Sequence, residues 1–306
     1  MPLLRINATS EGPQLHGSPV PARRVIQTAA RSKGPVIIMV HGFKYDPETP
    51  RFCPHTSIFD APLGHKRDSW PAALGFAGRD PNEGLAVAFA WRARGTLWHA
   101  LRTAAQAGQN LAQVIAIVKR AAPARAVHVI CHSMGSEVFF EALHHLPAHS
   151  IQRAIILTAA SYQSRASSAL HTDAGQALEL FNITSRENDL FDAGFETLIK
   201  AATPSDRAVG AGLFAPNAVN IEIDCDLTLQ RLRLTGADIA PAARRISHWS
   251  AYMRPGLMPF YNSLLRRPSE TPLAALRHAL PPVGSQRFAR LLPFMHNPQA
   301  GLSAPL

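Results

Sequence analysis

The sequence predicts an α/β fold: a doubly wound, mostly parallel sheet flanked by helices. Three observations carry the prediction. Apolar runs too short for a helix and lacking polar alternation recur at 35–40, 85–91, 126–131 and 154–158, as expected of strands covered on both faces. Between the second and third runs, Leu97, Leu101, Ala104, Gly108, Leu111, Ile115 and Val118 recur at helical spacing up to Pro123, so strand, helix and strand form a βαβ unit. The chain has 306 residues, 46% of them hydrophobic, which suffices for one substantial core without a second domain.

Taken in order, the first 34 residues alternate briefly (Leu3-Leu4-Arg5-Ile6) between turn residues such as Gly12-Pro13 and predict a peripheral hairpin ahead of the sheet proper. Residues 35–40 are a buried strand ending in His41-Gly42-Phe43. Residues 44–84 are rich in Pro, Asp, Gly and His, with a short helix expected from Ser69-Trp70-Pro71; a loop of this length leaving a sheet strand is expected to overhang a functional site. Residues 85–91 form the next strand and 97–122 its helix. The strand at 126–131 runs into a helix whose apolar face is Val138, Phe139, Ala142, Leu143 and Leu146, ended by Pro147. Strands follow at 154–158 and 178–184, with an edge strand at 219–223 and a helix at 257–265. The main domain is assigned to 1–267 and a Pro-punctuated tail to 268–306, with short helical pieces at 273–280 and 286–292.

The chemistry concentrates where strand 126–131 ends, in Cys131-His132-Ser133-Met134-Gly135. A serine hydroxyl is a poor nucleophile, so an enzyme using one exposes its Oγ on a tight turn, near a base and near N–H groups aimed at the developing oxyanion. Ser133 sits at such an apex, Gly135 lets the helix approach the strand, and Met134 can offer its N–H. The usual pattern is G-x-S-x-G; here Cys131, also small, replaces the first glycine.

With the second strand-ending turn, His41-Gly42-Phe43, the chain resembles the α/β-hydrolase family, whose members carry an HG-x turn after an early strand and the serine elbow after a central one. The resemblance implies an oxyanion hole from the N–H groups of Phe43 and Met134. It also implies the chain order nucleophile, acid, base. The loop after strand 178–184, Ser185-Arg186-Glu187-Asn188-Asp189-Leu190, then supplies the acid. Asp189 is assigned to it and Glu187 is the runner-up; an aspartate there also suits a helix cap. Of the later histidines, His278 and His296 lie in the tail, and His248, in a loop before the last apolar helix, is assigned as the base, with an apparent pKa of about 6 to 7. His41 and His132 are read as structural. Many relatives place a large cap where this chain has only 161–176, so no large cap domain is expected.

The formal net charge is +10, from 31 basic and 21 acidic residues, and the only lysines are Lys33, Lys44, Lys66, Lys119 and Lys200. The arginines show no interleaving with aromatics and no nucleic-acid module, so a solvated basic surface is expected rather than a nucleic-acid partner. No apolar stretch is long enough to span a bilayer and the start has no basic n-region, so a cytoplasmic protein is expected. The cysteines, Cys53, Cys131 and Cys225, fit a reducing compartment. Cys53, His55 and His65 match no standard metal spacing, and neither metal nor cofactor is expected.

The expectation is therefore a Ser133–Asp189–His248 serine hydrolase cleaving carboxylic esters through an acyl-enzyme. Thioester hydrolysis, transacylation on the same fold, and a non-enzymatic binding protein are the alternatives. The partner is a small ester or thioester, and the oligomeric state is open. With no cap, Phe52, Phe59 and Trp70 of the long loop either wall the acyl pocket or pack that loop onto the sheet.

Overall fold

A computed structural model describes residues 3–18, 20–60, 69–78, 80, 82–282 and 286–291. Eight strands, β1 (Leu3–Thr9), β2 (Gly12–Leu15), β3 (Val36–Val40), β4 (Leu85–Ala90), β5 (Val127–His132), β6 (Arg153–Leu157), β7 (Glu179–Thr184) and β8 (Ala218–Glu222), form one sheet in the order β2-β1-β4-β3-β5-β6-β7-β8. Only β1–β2 is antiparallel. This is the α/β-hydrolase fold expected, without a large cap. The N-terminal hairpin differs from expectation: β1 pairs in parallel with β4, Leu3 opposite Ala86 through Asn7 opposite Ala90, so it extends the sheet. Leu4 and Ile6 pack into one core layer and Leu3 into the other, so both of its faces have apolar surface to bury.

Alternation along the central strands divides the core in two. Val36, Ile38, Val40, Val127, Val129 and Cys131 face one layer, which the helices Leu97–Ala121, Gly135–Leu143 and Gln163–Leu170 cover. Ile37, Met39, Ile130 and Phe181 face the other, under the helices Trp70–Ala73, Asp226–Leu234, Leu257–Arg266 and Leu273–Ala279. A fully buried parallel strand needs apolar residues at both parities, which is why these runs lack polar alternation. The short connection after β6 holds only Gln163–Leu170 and Asp173–Gln176.

Several arginines serve the interior rather than the surface. Arg125 donates to the carbonyls of Gly34, Ala30 and Lys33. Arg153 bonds Glu179 at 2.6 Å and the carbonyls of Leu264, Pro268 and Thr271. A guanidinium satisfies several carbonyls at once where a chain must be tied down without a strand. Arg153 thereby fastens the start of the segment assigned to a tail, and Leu273, Leu276 and Leu280 bury against the second core layer. Residues 283–285 and 292–306, including His296 and Leu292, lie outside the described residues. Among those described, no helix is long and apolar enough to cross a membrane.

Candidate active site

β3 and β5 are neighbours, Val40 opposite Cys131, so the two strand-ending turns meet at the carboxyl edge of the sheet. Chain order reverses here, β3 being followed by β4 on one side and β4 by β5 on the other side of β3, the place where open α/β sheets bind ligands. Ser133 follows β5 directly and takes φ +53°, a left-handed conformation that a non-glycine residue adopts only where its surroundings hold it. Its N–H donates to the carbonyl of Leu157 at the end of β6, and its own carbonyl accepts from the N–H and Oγ of Ser136 in the following helix. A Cβ on Gly42 would lie 2.9 Å from the His132 carbonyl oxygen, and one on Gly135 would lie 2.6 Å from the His41 carbonyl oxygen. Backbone cannot yield to such contacts, so both glycines are needed for the turns to approach. Among the described residues, neither the Phe43 nor the Met134 N–H donates to another group.

His41 and His132 hold this arrangement from behind, as expected. His41 Nδ1–H donates to the Gly42 carbonyl at 2.9 Å, Nε2 accepts from the Trp91 N–H at 3.0 Å, and the Trp91 ring N–H returns to the His41 carbonyl. Burial lowers both histidines to about 4, so they are neutral. His132 Nε2–H donates to the His248 carbonyl at 3.0 Å, and the two rings lie 4.6 Å apart. The residue before Ser133 thus anchors the loop carrying His248. Thr158 Oγ1 donates to the same carbonyl.

The orienting partner of His248 differs from expectation. His248 Nδ1 lies 2.6 Å from Asn188 Oδ1. Asp189 instead pairs with Arg186 at 3.1 Å and accepts from the Phe288 N–H at 2.6 Å. The cause is local: a 3₁₀ turn, Arg186–Asn188, precedes the helix Asp189–Leu198. Asn188, Phe191 and Asp192, spaced i, i+3 and i+4, share one helix face, and Asp189 points away from it. Phe191 stacks on His248 at 4.7 Å, and Asn188 Nδ2 donates to Asp192 Oδ1 at 2.9 Å. The N-x-x-F-D spacing was the available signal for this face.

Glu187 has a different task. Its carboxylate accepts from Arg254 at 2.5 Å and from the Arg244 N–H at 3.2 Å, and its carbonyl accepts from the Ser247 N–H. It clamps both ends of the His248 loop. Burial, then the neighbouring His132 and Lys44, push His248 well below 6.5, so its base form persists into acid and the expected range of about 6 to 7 is too high for it.

The loop aromatics also depart from a pocket role. Phe59 and Trp70 are fully buried in the second core layer, edge to face at 5.7 Å, and Phe52 carries the Arg94 guanidinium 3.4 Å above its ring. Burial of large rings anchors the loop, whose residues 61–68, 79 and 81, with His65, lie outside the described residues. Phe191, 39% exposed, and Trp249, 47% exposed, present apolar rings to solvent beside His248 and lie 6.1 Å from each other. Cys131 is fully buried and its thiol is pushed up by burial, so it stays protonated. Cys53 Sγ lies 3.8 Å from His16 and His55 bonds Asn7; among the described residues no His, Cys, Asp and Glu group could hold a metal ion.

Residues 21–165 match a family described as "Alpha/beta hydrolase of unknown function (DUF900)". The match spans both strand-ending turns and stops before Asn188 and His248. Among solved structures, an acylaminoacyl peptidase of Pyrococcus horikoshii (orthorhombic crystal form) aligns with 15% identity and a TM-score of 0.26, over 51% of this chain and 28% of its own. This chain therefore spans little more than a quarter of that enzyme. No curated protein matches it.

Proposed function

We propose that this chain, an α/β hydrolase by fold, is a serine hydrolase that cleaves carboxylic esters through an acyl-enzyme on Ser133. The observation that carries the proposal is the left-handed φ of Ser133, +53°, at the mouth of two turns that only glycines allow to meet. Strain of this kind persists where the surroundings over-determine it and clusters at active sites; Ser133, 4% exposed, is held in that turn.

In this reading neutral His248 takes the Ser133 proton at Nε2 while Oγ attacks the ester carbonyl. The tetrahedral oxyanion is met by the N–H groups of Phe43 and Met134, preorganised donors that cost little reorganisation. The imidazolium then protonates the departing alkoxide oxygen as the C–O bond breaks. Water, deprotonated by His248, repeats the sequence and releases the acid. Asn188 replaces Asp189 as the group that holds Nδ1–H. Being neutral, it orients the ring but stabilises the imidazolium less than a carboxylate would.

The exposed Phe191 and Trp249 support an apolar acyl or alcohol group lying beside His248, in place of the loop aromatics. A thioester would meet the same groups. The test is a panel of p-nitrophenyl esters of increasing chain length, with acyl-thioesters in parallel, on wild type and Ser133→Ala. Turnover that disappears in the variant supports the reading; equal turnover in both removes it.

A further inference from the structure

His248 is held by an amide, and an amide has two faces. Asn188 presents Oδ1 to His248 Nδ1 at 2.6 Å while its Nδ2 donates to Asp192 Oδ1 at 2.9 Å. Turned over, the same amide would offer N–H to Nδ1, which could then only accept, and the ring proton would move to Nε2. That tautomer cannot remove a proton from Ser133. An ionised carboxylate, which only accepts, forbids the turn.

We infer that Asp192 is a positioning residue: by accepting from Asn188 Nδ2 it fixes the amide, and through it the Nδ1–H tautomer of His248. The inference deepens the hydrolase reading and rests on His248 as its base. The seat is specific. Asp192 is buried, and a Cβ on Gly210 would lie 2.1 Å from its Oδ2, so any other residue at 210 would displace the carboxylate. Arg186 braces the same corner by donating to the Gly210 carbonyl at 2.6 Å.

The charges facing Asp192 are Arg186 of the 3₁₀ turn, Asp189 and Glu196 of its own helix, and Arg287 of the C-terminal segment. Burial dominates and raises the carboxyl to about 7; Arg186 opposes it, Asp189 adds to it, Arg287 opposes and Glu196 adds. A carboxyl raised in this way is ionised above that value and protonated as pH falls through it. Once protonated it can donate to Asn188 Oδ1, and the constraint on the amide is lost. His248, held well below 6.5, stays neutral meanwhile. An activity loss near neutrality thus reports Asp192 and not the imidazole.

The experiment compares wild type, Asp192→Asn, Asn188→Asp and the exchange variant Asn188→Asp/Asp192→Asn. Each is read by kcat and KM against pH on an activated ester, and by ¹⁵N spectra of histidine-labelled protein. Asp192→Asn should lose about 10- to 100-fold in kcat with KM within about twofold, and lose the limb near neutrality. The exchange variant gives His248 a carboxylate that has no wrong face, and should recover most of that loss. An exchange variant as poor as Asp192→Asn overturns the inference, since packing alone predicts that result. The spectra separate this claim from the hydrolase reading. At about pH 8, in the conventional alkaline range for a neutral imidazole, wild type should show His248 protonated at Nδ1, and Asp192→Asn should shift it toward Nε2, whether or not any ester turns over. An unchanged tautomer in Asp192→Asn overturns the inference.

Discussion

Asn188 Oδ1 lies 2.6 Å from His248 Nδ1, and the carboxylate one residue later turns away to Arg186. The two neighbours should therefore separate cleanly on mutation. Asn188→Ala should lower kcat by about two orders of magnitude with KM little changed, because a base loses its orientation but not its pocket. Asp189→Asn should keep kcat within a few-fold while destabilising the fold by about 3 kcal/mol, the cost of leaving buried Arg186 without its charge partner. Steady-state kinetics beside urea unfolding give both numbers. The reverse pattern would return the orienting role to Asp189.

Glu187→Gln should be far from mild. Its carboxylate is buried with Arg254 and caps the chain at Arg244, and its carbonyl holds Ser247. Removing one charge of such a pair costs about 3–5 kcal/mol, and the loop carrying His248 loosens with it. Expected are a lower unfolding midpoint and a lower kcat, moving together; a full-activity variant of unchanged stability would show that the clamp contributes nothing.

The sheet was readable because its strands are buried on both faces: β3 and β4 are unbroken apolar runs of strand length, too short for a helix. The placements of Ser133 on a turn at a strand end and of the His248 loop beside it were readable too, the first from its small neighbours, the second from chain order once the resemblance was in hand. Asn188 was not. Whether residue 188 or 189 faces the histidine depends on a single 3₁₀ turn, whose tighter winding shifts every later side chain around the helix axis. The fate of Phe59 and Trp70 was equally hidden, since a large ring in a long loop can wall a pocket or anchor the loop, and only the core beneath decides. The hairpin's place in the sheet depends on pairing with β4, some eighty residues away, which local alternation does not report.

That outcome for the loop predicts a contrast in variants. Trp70→Ala or Phe59→Ala should destabilise the protein by about 3–5 kcal/mol through the cavity left behind, with the chain-length preference of any hydrolysis unchanged. Phe191→Ala and Trp249→Ala remove partly exposed rings beside His248, so they should alter KM across an acyl series at nearly unchanged stability. Thermal scans and the ester panel distinguish the two pairs. A shifted preference in the Trp70 variant alone would restore the loop as the pocket wall.

Whether Ser133 is a nucleophile is read without any assumption about substrate by intact-mass spectrometry after treatment with an alkyl fluorophosphonate. Wild type should take up a single adduct, mapped to the peptide containing Ser133, and Ser133→Ala none, with its thermal transition unchanged. A wild type that takes up no adduct, or a Ser133→Ala variant that still labels to the same extent, would contradict that role.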